Sequence, residues 1–328
     1  MRFIKMHGIG NDYVYIDGAL NATLDFPRVA RLVSDRHLAI GSDGLIAVCP
    51  PTRADAHLRM RMFNADGSEG EMCGNGIRCV AKFAIDRAMA SANPLRIETG
   101  RGVLEVAWER GGDGRVASAS VMMGTPILAS AQIPAQIKGI SAAAHVVAHA
   151  IDLARFGPND WWKSANVQPH MTLVSMGNPH AIFVCDDPAL VPLELVGPHI
   201  ERDSWFPARI NAHFVRFESN GSRATMRTWE RGSGITLACG TGASAVCVAG
   251  VLLTKCGRTL HAQLPGGSLR LDWPHDEASV CMTGGATEVF AGEVDLDALA
   301  ASLSVGVSET RAPSDSLAHD CVQGATHG

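Results

Sequence analysis

Two short stretches of this chain repeat one another: Met72-Cys73-Gly74-Asn75-Gly76-Ile77 and Ala238-Cys239-Gly240-Thr241-Gly242-Ala243. Each sets a cysteine and two glycines directly ahead of an apolar run of helical character, Ile77 to Ile85 in one and Ala243 to Leu252 in the other. The echo extends well beyond the cysteines. Asn178 in "GNPH" follows Asn11 in "GIGND" by 167 residues, Cys239 follows Cys73 by 166, Glu230 follows Asn64 by 166, and Trp273 follows Trp108 by 165. Four landmarks in one order at nearly constant spacing mark a single unit used twice. The chain is therefore expected to fold as two similar domains, each contributing one cysteine to a shared cleft.

Composition narrows the class. A length of 328 residues gives each half enough chain to bury its own core. A net charge of −5 argues against a nucleic-acid partner. No apolar run reaches membrane-spanning length, and "MRFIKMHGIG" lacks the apolar core of a signal peptide. The expectation is a cytoplasmic protein with no membrane partner. Nine cysteines at irregular spacing, with no CxxC pair, fit neither a disulfide framework nor a zinc site. His145 and His149 have the i,i+4 spacing of a metal pair on a helix, but no third ligand candidate accompanies them. No Rossmann fingerprint, P-loop or pyridoxal-phosphate lysine context is evident, so neither cofactor nor metal is expected.

Read in order, Phe3-Ile4 and Tyr13 to Ile16 are strands about a glycine corner, His7 to Asp12, which holds Asn11 at a strand end. A helix follows, with Pro27 in its first turn and Val29, Ala30, Leu32 and Val33 as its apolar face. Leu45 to Val48 and the alternating Leu58 to Phe63 read as strands, the second ending at Asn64. Leu95 to Trp108 reads as a hairpin turning at Gly100 to Gly102. The first domain is placed at 1–123, with a closing strand at about 286–300, and the second at 124–285. Segment 124–170 matches nothing in the first copy; within it 141–156 is expected to be helical and 157–170 a loop. Small and polar residues from 301 to 328, Cys321 among them, suggest a disordered tail.

A cysteine at a helix N-terminus sits among free backbone N–H groups, a field that attracts anions and favours thiolate over thiol. Two such termini facing one cleft would hold an amino-acid carboxylate between them, with a thiol on each side of the α-carbon. That arrangement suits taking a proton from one face and delivering one to the other. The glycines let the ligand approach the backbone closely. A carboxylate held between two dipoles stabilises an enolate-like transition state, and a dry, closed cleft strengthens the effect. Cys79 and Cys247 fall inside the helices and read as core. A thiol-based redox protein is the alternative of a different class. The wide separation of the two cysteines and the duplicated cradle weigh against it.

The stretches "KMHGIGND", "FNADGSEGEMCGNGIRC", "GNPH" and "WERGSG" with "ACGTG" resemble the motifs of the diaminopimelate epimerases, over residues 1 to about 296 apart from 124–170. The resemblance implies two similar α/β domains, each a β-barrel-like sheet around a central helix, and a homodimer. It implies a cofactor-independent, two-base interconversion of LL- and meso-diaminopimelate, a step of lysine and peptidoglycan synthesis. Carried over residue by residue, Cys73 and Cys239 match the acid/base pair, Cys73 taking the proton of the LL form and Cys239 that of the meso centre. His180 and Glu230 match groups that tune the thiols. Asn11, Asn64, Asn178, Asn211 and Arg231 match substrate contacts, together with Glu230. Gly74-Asn75 and Gly240-Thr241 match the backbone that cradles the carboxylate. Two departures stand out. Many family members carry glutamine where this chain has Gly44, although glycine also occurs there, and most carry an acidic residue where it has Ile235. The second change lies beside the second helix and points to an altered preference, so a sister amino acid racemase on the same scaffold is the second reading.

Overall fold

The computed structural model describes residues 1–308. In the first half, strands Arg2–Gly8, Asn11–Asp17, Gly44–Cys49, Leu58–Asn64, Leu95–Thr99, Gly102–Arg110 and Val116–Met122 pair successively. Strands His170–Ser175, Pro179–Val184, Asn211–Phe217, Arg223–Glu230, Thr259–Leu264, Gly267–Asp272 and Cys281–Gly285 repeat the order. In both halves the second strand runs parallel to the third and the fourth parallel to the fifth. The register repeats as well. Val14 faces Leu45 and Ala181 faces Ala212, each residue 167 positions after its counterpart. The fold is thus mixed α/β, dominated by sheet and duplicated.

Each sheet wraps a central helix, Gly74–Asp86 in the first half and Gly240–Leu252 in the second. The second is apolar on every side and buried from Gly242 to Gly250, as a helix without a polar face must be. The halves meet along Val116–Met122 and Cys281–Gly285, which pair antiparallel, with the hydroxyls of Ser120 and Thr283 2.7 Å apart. From each of these strands the chain crosses to the other half. Strand Thr287–Glu293 pairs with Arg2–Gly8, and Ile127 bridges Ser175.

The outer faces are covered differently. Helix Phe26–Ser34, started by the Asp25 carboxylate accepting from the Arg28 N–H and by Pro27, packs on Val14, Ile16, Leu45 and Ala47. In the second half helix Leu193–Glu201 and segment 124–170 share that task, burying Ile133, Val146, Leu153, Phe156 and Trp161 against Leu173, Phe183 and Phe214. The helix expected over 141–156 does not form. His145 bridges Ala129, Val146 accepts from the Leu173 N–H, and only a 3-10 turn, Leu153–Phe156, is helical. Its buried positions, 146, 151, 153 and 156, lack helical spacing and serve instead as a covering ribbon. His149 lies edge-on to the Trp205 ring. Residues 301–308 also depart from expectation. They continue a helix, Leu296–Ser308, because Asp295 caps its start and Leu296 and Leu299 pack on the first half. Residues 309–328, with Cys321, lie outside the described residues. No helix among the described residues is long and apolar enough to cross a membrane.

Candidate active site

Both cysteines are helix N-caps with nearly the same extended backbone, φ −131° and ψ 117° at Cys73, φ −124° and ψ 101° at Cys239. The Cys73 sulfur accepts from the Gly76 N–H at 3.3 Å, and its thiol donates to Asn11 Oδ1 at 3.1 Å. Asn11 is held in that orientation because its amide N–H₂ donates to Asp43 at 2.7 Å. Cys239 Sγ lies 3.7 Å from Thr241 Oγ1, and the charge of the Glu230 carboxyl acts on its thiol. Glu230 accepts from the Thr236 hydroxyl on the short hairpin strand Gly234–Thr236.

The helix starts touch. Asn75 Nδ2 donates to Ala238 O, the residue just ahead of Cys239, at 3.3 Å. A Cβ on Gly240 would press on the Met282 thioether at 2.9 Å and would stand 3.6 Å from Asn75 Oδ1, so the second helix start packs closely against the first. Behind Cys73, the fully buried guanidinium of Arg78 donates to Gly74 O, Asn75 Oδ1 and Gly285 O at 3.0–3.3 Å. It has no carboxylate partner among the described residues. Its counterpart 166 positions later is Ser244, which donates to Gly240 O.

The other expected residues fall around this pair. Asn178 Nδ2 donates to Thr241 Oγ1 at 3.3 Å, and its Oδ1 lies 3.0 Å from His180 Nε2. Asn211 is buried and braces two loops, donating to Pro179 O at 2.8 Å and accepting from the Arg231 N–H at 2.9 Å. The Arg231 guanidinium is exposed and donates to Ala208 O. The Asn64 amide donates to the Ser68 hydroxyl at 3.0 Å. Glu201, buried beneath the Glu230–Gly232 turn, accepts from the Trp229 indole and the Gly232 N–H. A surface cavity of about 510 Å³, lined by Met1, Leu24, Arg28, Val29 and Leu296 among others, includes none of the site residues.

Several participants were not found from sequence: Arg78, Glu201, His213, Thr228 and Thr236. His213 had one visible signal. It occupies the inward position at which the first copy has Ile46, a polar residue where the duplicate is apolar. Gly44 is explained directly: at φ +155° its Cβ would stand 2.0 Å from Phe63 O, so glutamine would require the strand to move.

The expectation of acidified thiols is overturned. Burial pushes the Cys73 thiol up, more strongly than the N–H groups of Gly76 and Asn75 and the Arg78 charge draw it down. Burial pushes Cys239 well up, the Glu230 carboxylate adds to it, and the Thr241 hydroxyl opposes it. Burial also raises Glu230 itself. A raised thiol stays neutral through neutral pH, and its thiolate appears only as pH climbs. In the ligand-free protein, iodoacetamide should therefore label both sites with midpoints above the ordinary ~8.5 of a thiol, Cys73 titrating before Cys239. Glu230→Gln should bring the Cys239 midpoint down. Peptide mapping against pH reads both, and a Cys239 midpoint below that of Cys73 would contradict this electrostatic account.

Comparison with known proteins bears on this geometry. The family model for diaminopimelate epimerase matches residues 3–129 and 172–289. The chain belongs to the diaminopimelate epimerase family. The stretch the family model skips, 130–171, falls almost wholly within the covering ribbon of the second half. A diaminopimelate epimerase of Acetivibrio thermocellus is 46% identical over 303 residues, covering 91% of this chain and all of the relative. One of Methanococcus maripaludis is 44% identical over 299 residues, covering 90% of this chain and all of the relative. Among solved structures, a probable proline racemase of Agrobacterium radiobacter superposes with TM-score 0.61 at 15% identity, covering 90% of this chain and 93% of the other. A methylitaconate-delta-isomerase superposes with TM-score 0.57 at 15% identity, covering 91% and 96%. These two likenesses establish the duplicated fold.

Proposed function

We propose that this protein interconverts LL- and meso-2,6-diaminopimelate, with Cys73 and Cys239 as the acid and base and no cofactor. The observation that carries the reading is the pair of equivalent cysteine N-caps whose helices meet at Asn75 and Ala238, in a chain of this family. The substrate's α-carboxylate would lie between the two helix N-termini, taking N–H bonds from Gly74-Asn75 and Gly240-Thr241. In the LL direction the Cys73 thiolate takes the α-proton. The C–H electron pair spreads into the carboxylate, and the Cys239 S–H bond breaks to deliver a proton to the opposite face. The meso direction exchanges the roles. The N–H groups and the buried Arg78 charge stabilise the developing enolate in a site from which water is excluded. Asn64, Asn178, Asn211 and Arg231 would read the distal ammonium and carboxylate. Asn11 orients the Cys73 thiol, and His180 and Glu230 tune Cys239.

The second reading, a racemase of a monocarboxylic amino acid, draws on Ile235 and Leu237, exposed apolar side chains on the hairpin that leads into the second helix. Incubating a panel of amino acids in D₂O separates the two. Diaminopimelate is expected to gain α-deuterium, read by NMR, with the rate unchanged by chelator or by added pyridoxal phosphate. Exchange confined to a monocarboxylic amino acid would select the racemase. Sedimentation tests the accompanying proposal of a homodimer, and cell fractionation that of a cytoplasmic location.

A further inference from the structure

We propose that His213 and Thr228 are positioning residues for Cys239, acting through a hydrogen-bond chain that runs one way from the core of the second half to the sulfur. The proposal deepens the two-thiol reading above and rests on it. Thr228 Oγ1 lies 2.9 Å from His213 Nδ1, and His213 Nε2 lies 2.9 Å from His180 Nδ1. His180 Nε2 lies 3.0 Å from Asn178 Oδ1, Asn178 Nδ2 3.3 Å from Thr241 Oγ1, and Thr241 Oγ1 3.7 Å from Cys239 Sγ. Thr228, His213 and His180 are all buried.

The chain has a sense. Thr228 Oγ1 has only His213 as side-chain partner among the described residues, and donating there is the arrangement that leaves its buried hydroxyl hydrogen paired. The His213 hydrogen then sits on Nε2 and donates to His180 Nδ1. The His180 hydrogen sits on Nε2 and donates to Asn178 Oδ1. With its carbonyl taken, Asn178 turns its N–H₂ to Thr241, and the Thr241 hydroxyl is left to donate to the sulfur. Reversing every bond would strand the Thr228 hydrogen without an acceptor. Burial keeps both rings neutral, drawing His180 well below its ordinary value and His213 down to about 3, so no second proton erases the sense.

The first copy has no such wiring. The counterparts of His180, His213 and Thr228, 167, 167 and 166 positions earlier, are Tyr13, Ile46 and Met62. Ile46 and His213 occupy the same place, each against a helix glycine: a Cβ on Gly76 would meet Ile46 at 2.8 Å and one on Gly242 would meet His213 at 2.2 Å. The twin asparagines consequently show opposite ends. Asn11 offers its carbonyl to Cys73, whereas Asn178 has its carbonyl occupied and its amide turned toward the Cys239 side. The duplicated scaffold supplies the shape on both sides, and the polar chain supplies a donor to the Cys239 thiolate alone.

Thr228→Val removes the first donor and changes little else, while Thr228→Ser keeps it. In the valine variant kcat should fall about tenfold, the equivalent of one pKa unit, with KM within about twofold. Alkylation of Cys239 by iodoacetamide in the ligand-free protein should slow by a similar factor while Cys73 is unchanged. Serine should restore both. His213→Leu should reproduce the valine result, and thermal melting confirms that each variant is folded. A folded valine variant whose Cys239 labels at the wild-type rate would overturn the proposal, as would equal slowing at both cysteines. Alkylation needs no substrate, so this arm is decided independently of the epimerase reading.

Discussion

Cys73→Ser and Cys239→Ser are each expected to lower epimerisation by about 10³-fold or more, the scale of a lost general acid or base. Serine is a favoured N-cap residue at both positions, and at 73 its hydroxyl can take over the bond that the Cys73 sulfur accepts from the Gly76 N–H. What it loses is basicity, since an alkoxide is inaccessible near neutral pH. The two losses are not interchangeable, because the sulfurs stand in different surroundings. Cys73 faces Asn11, Gly76 and the Arg78 charge, whereas Cys239 faces Glu230 and Thr241. Substrate chirality followed by NMR is the measurement. Either single serine variant epimerising within about tenfold of wild type would rule out a two-base mechanism.

Mild oxidation is expected to abolish activity completely and reversibly. Both cysteines are free thiols, and their helices are tied where Asn75 meets Ala238. If both thiols flank one carbon, an empty cleft needs little motion to bring their Cα atoms within the ~4.4–6.8 Å of a disulfide. With diamide, each thiol gives up one electron and one proton, the S–S bond forms, and the reagent is reduced to its hydrazine. Dithiothreitol should restore the rate, and bound substrate should protect by occupying the space between the sulfurs. Peptide mapping should find Cys73 joined to Cys239. Inactivation with both thiols still free, or pairing through Cys79 or Cys247, would mean that the sulfurs do not face one another.

The duplication could be read from the sequence because it rests on local patterns. A cysteine and two glycines ahead of an apolar run dictate an N-cap and a buried helix wherever they occur, and constant offsets report a repeated unit. The register of the two sheets repeats at those same offsets. The helix that covers the outer face of the first half was legible in its apolar period and Pro27; the covering of the second half was not, since a ribbon such as 124–170 takes its shape from the strands beneath it rather than from any period of its own. The electrostatics were decided by tertiary structure alone. A helix N-terminus pulls a thiol down through its own N–H groups, which sequence shows. Burial pushes it up through everything packed around it, which sequence does not show, and for Cys73 and Cys239 burial prevails. Arg78 and His213 illustrate the same division. Their positions on a helix and a strand follow from pattern, but their bonding partners come from distant parts of the chain: Gly285 for Arg78, His180 and Thr228 for His213. Sequence determined the twofold plan and the two cysteine caps; only the folded chain, by choosing which buried polar groups meet, made the two caps chemically different.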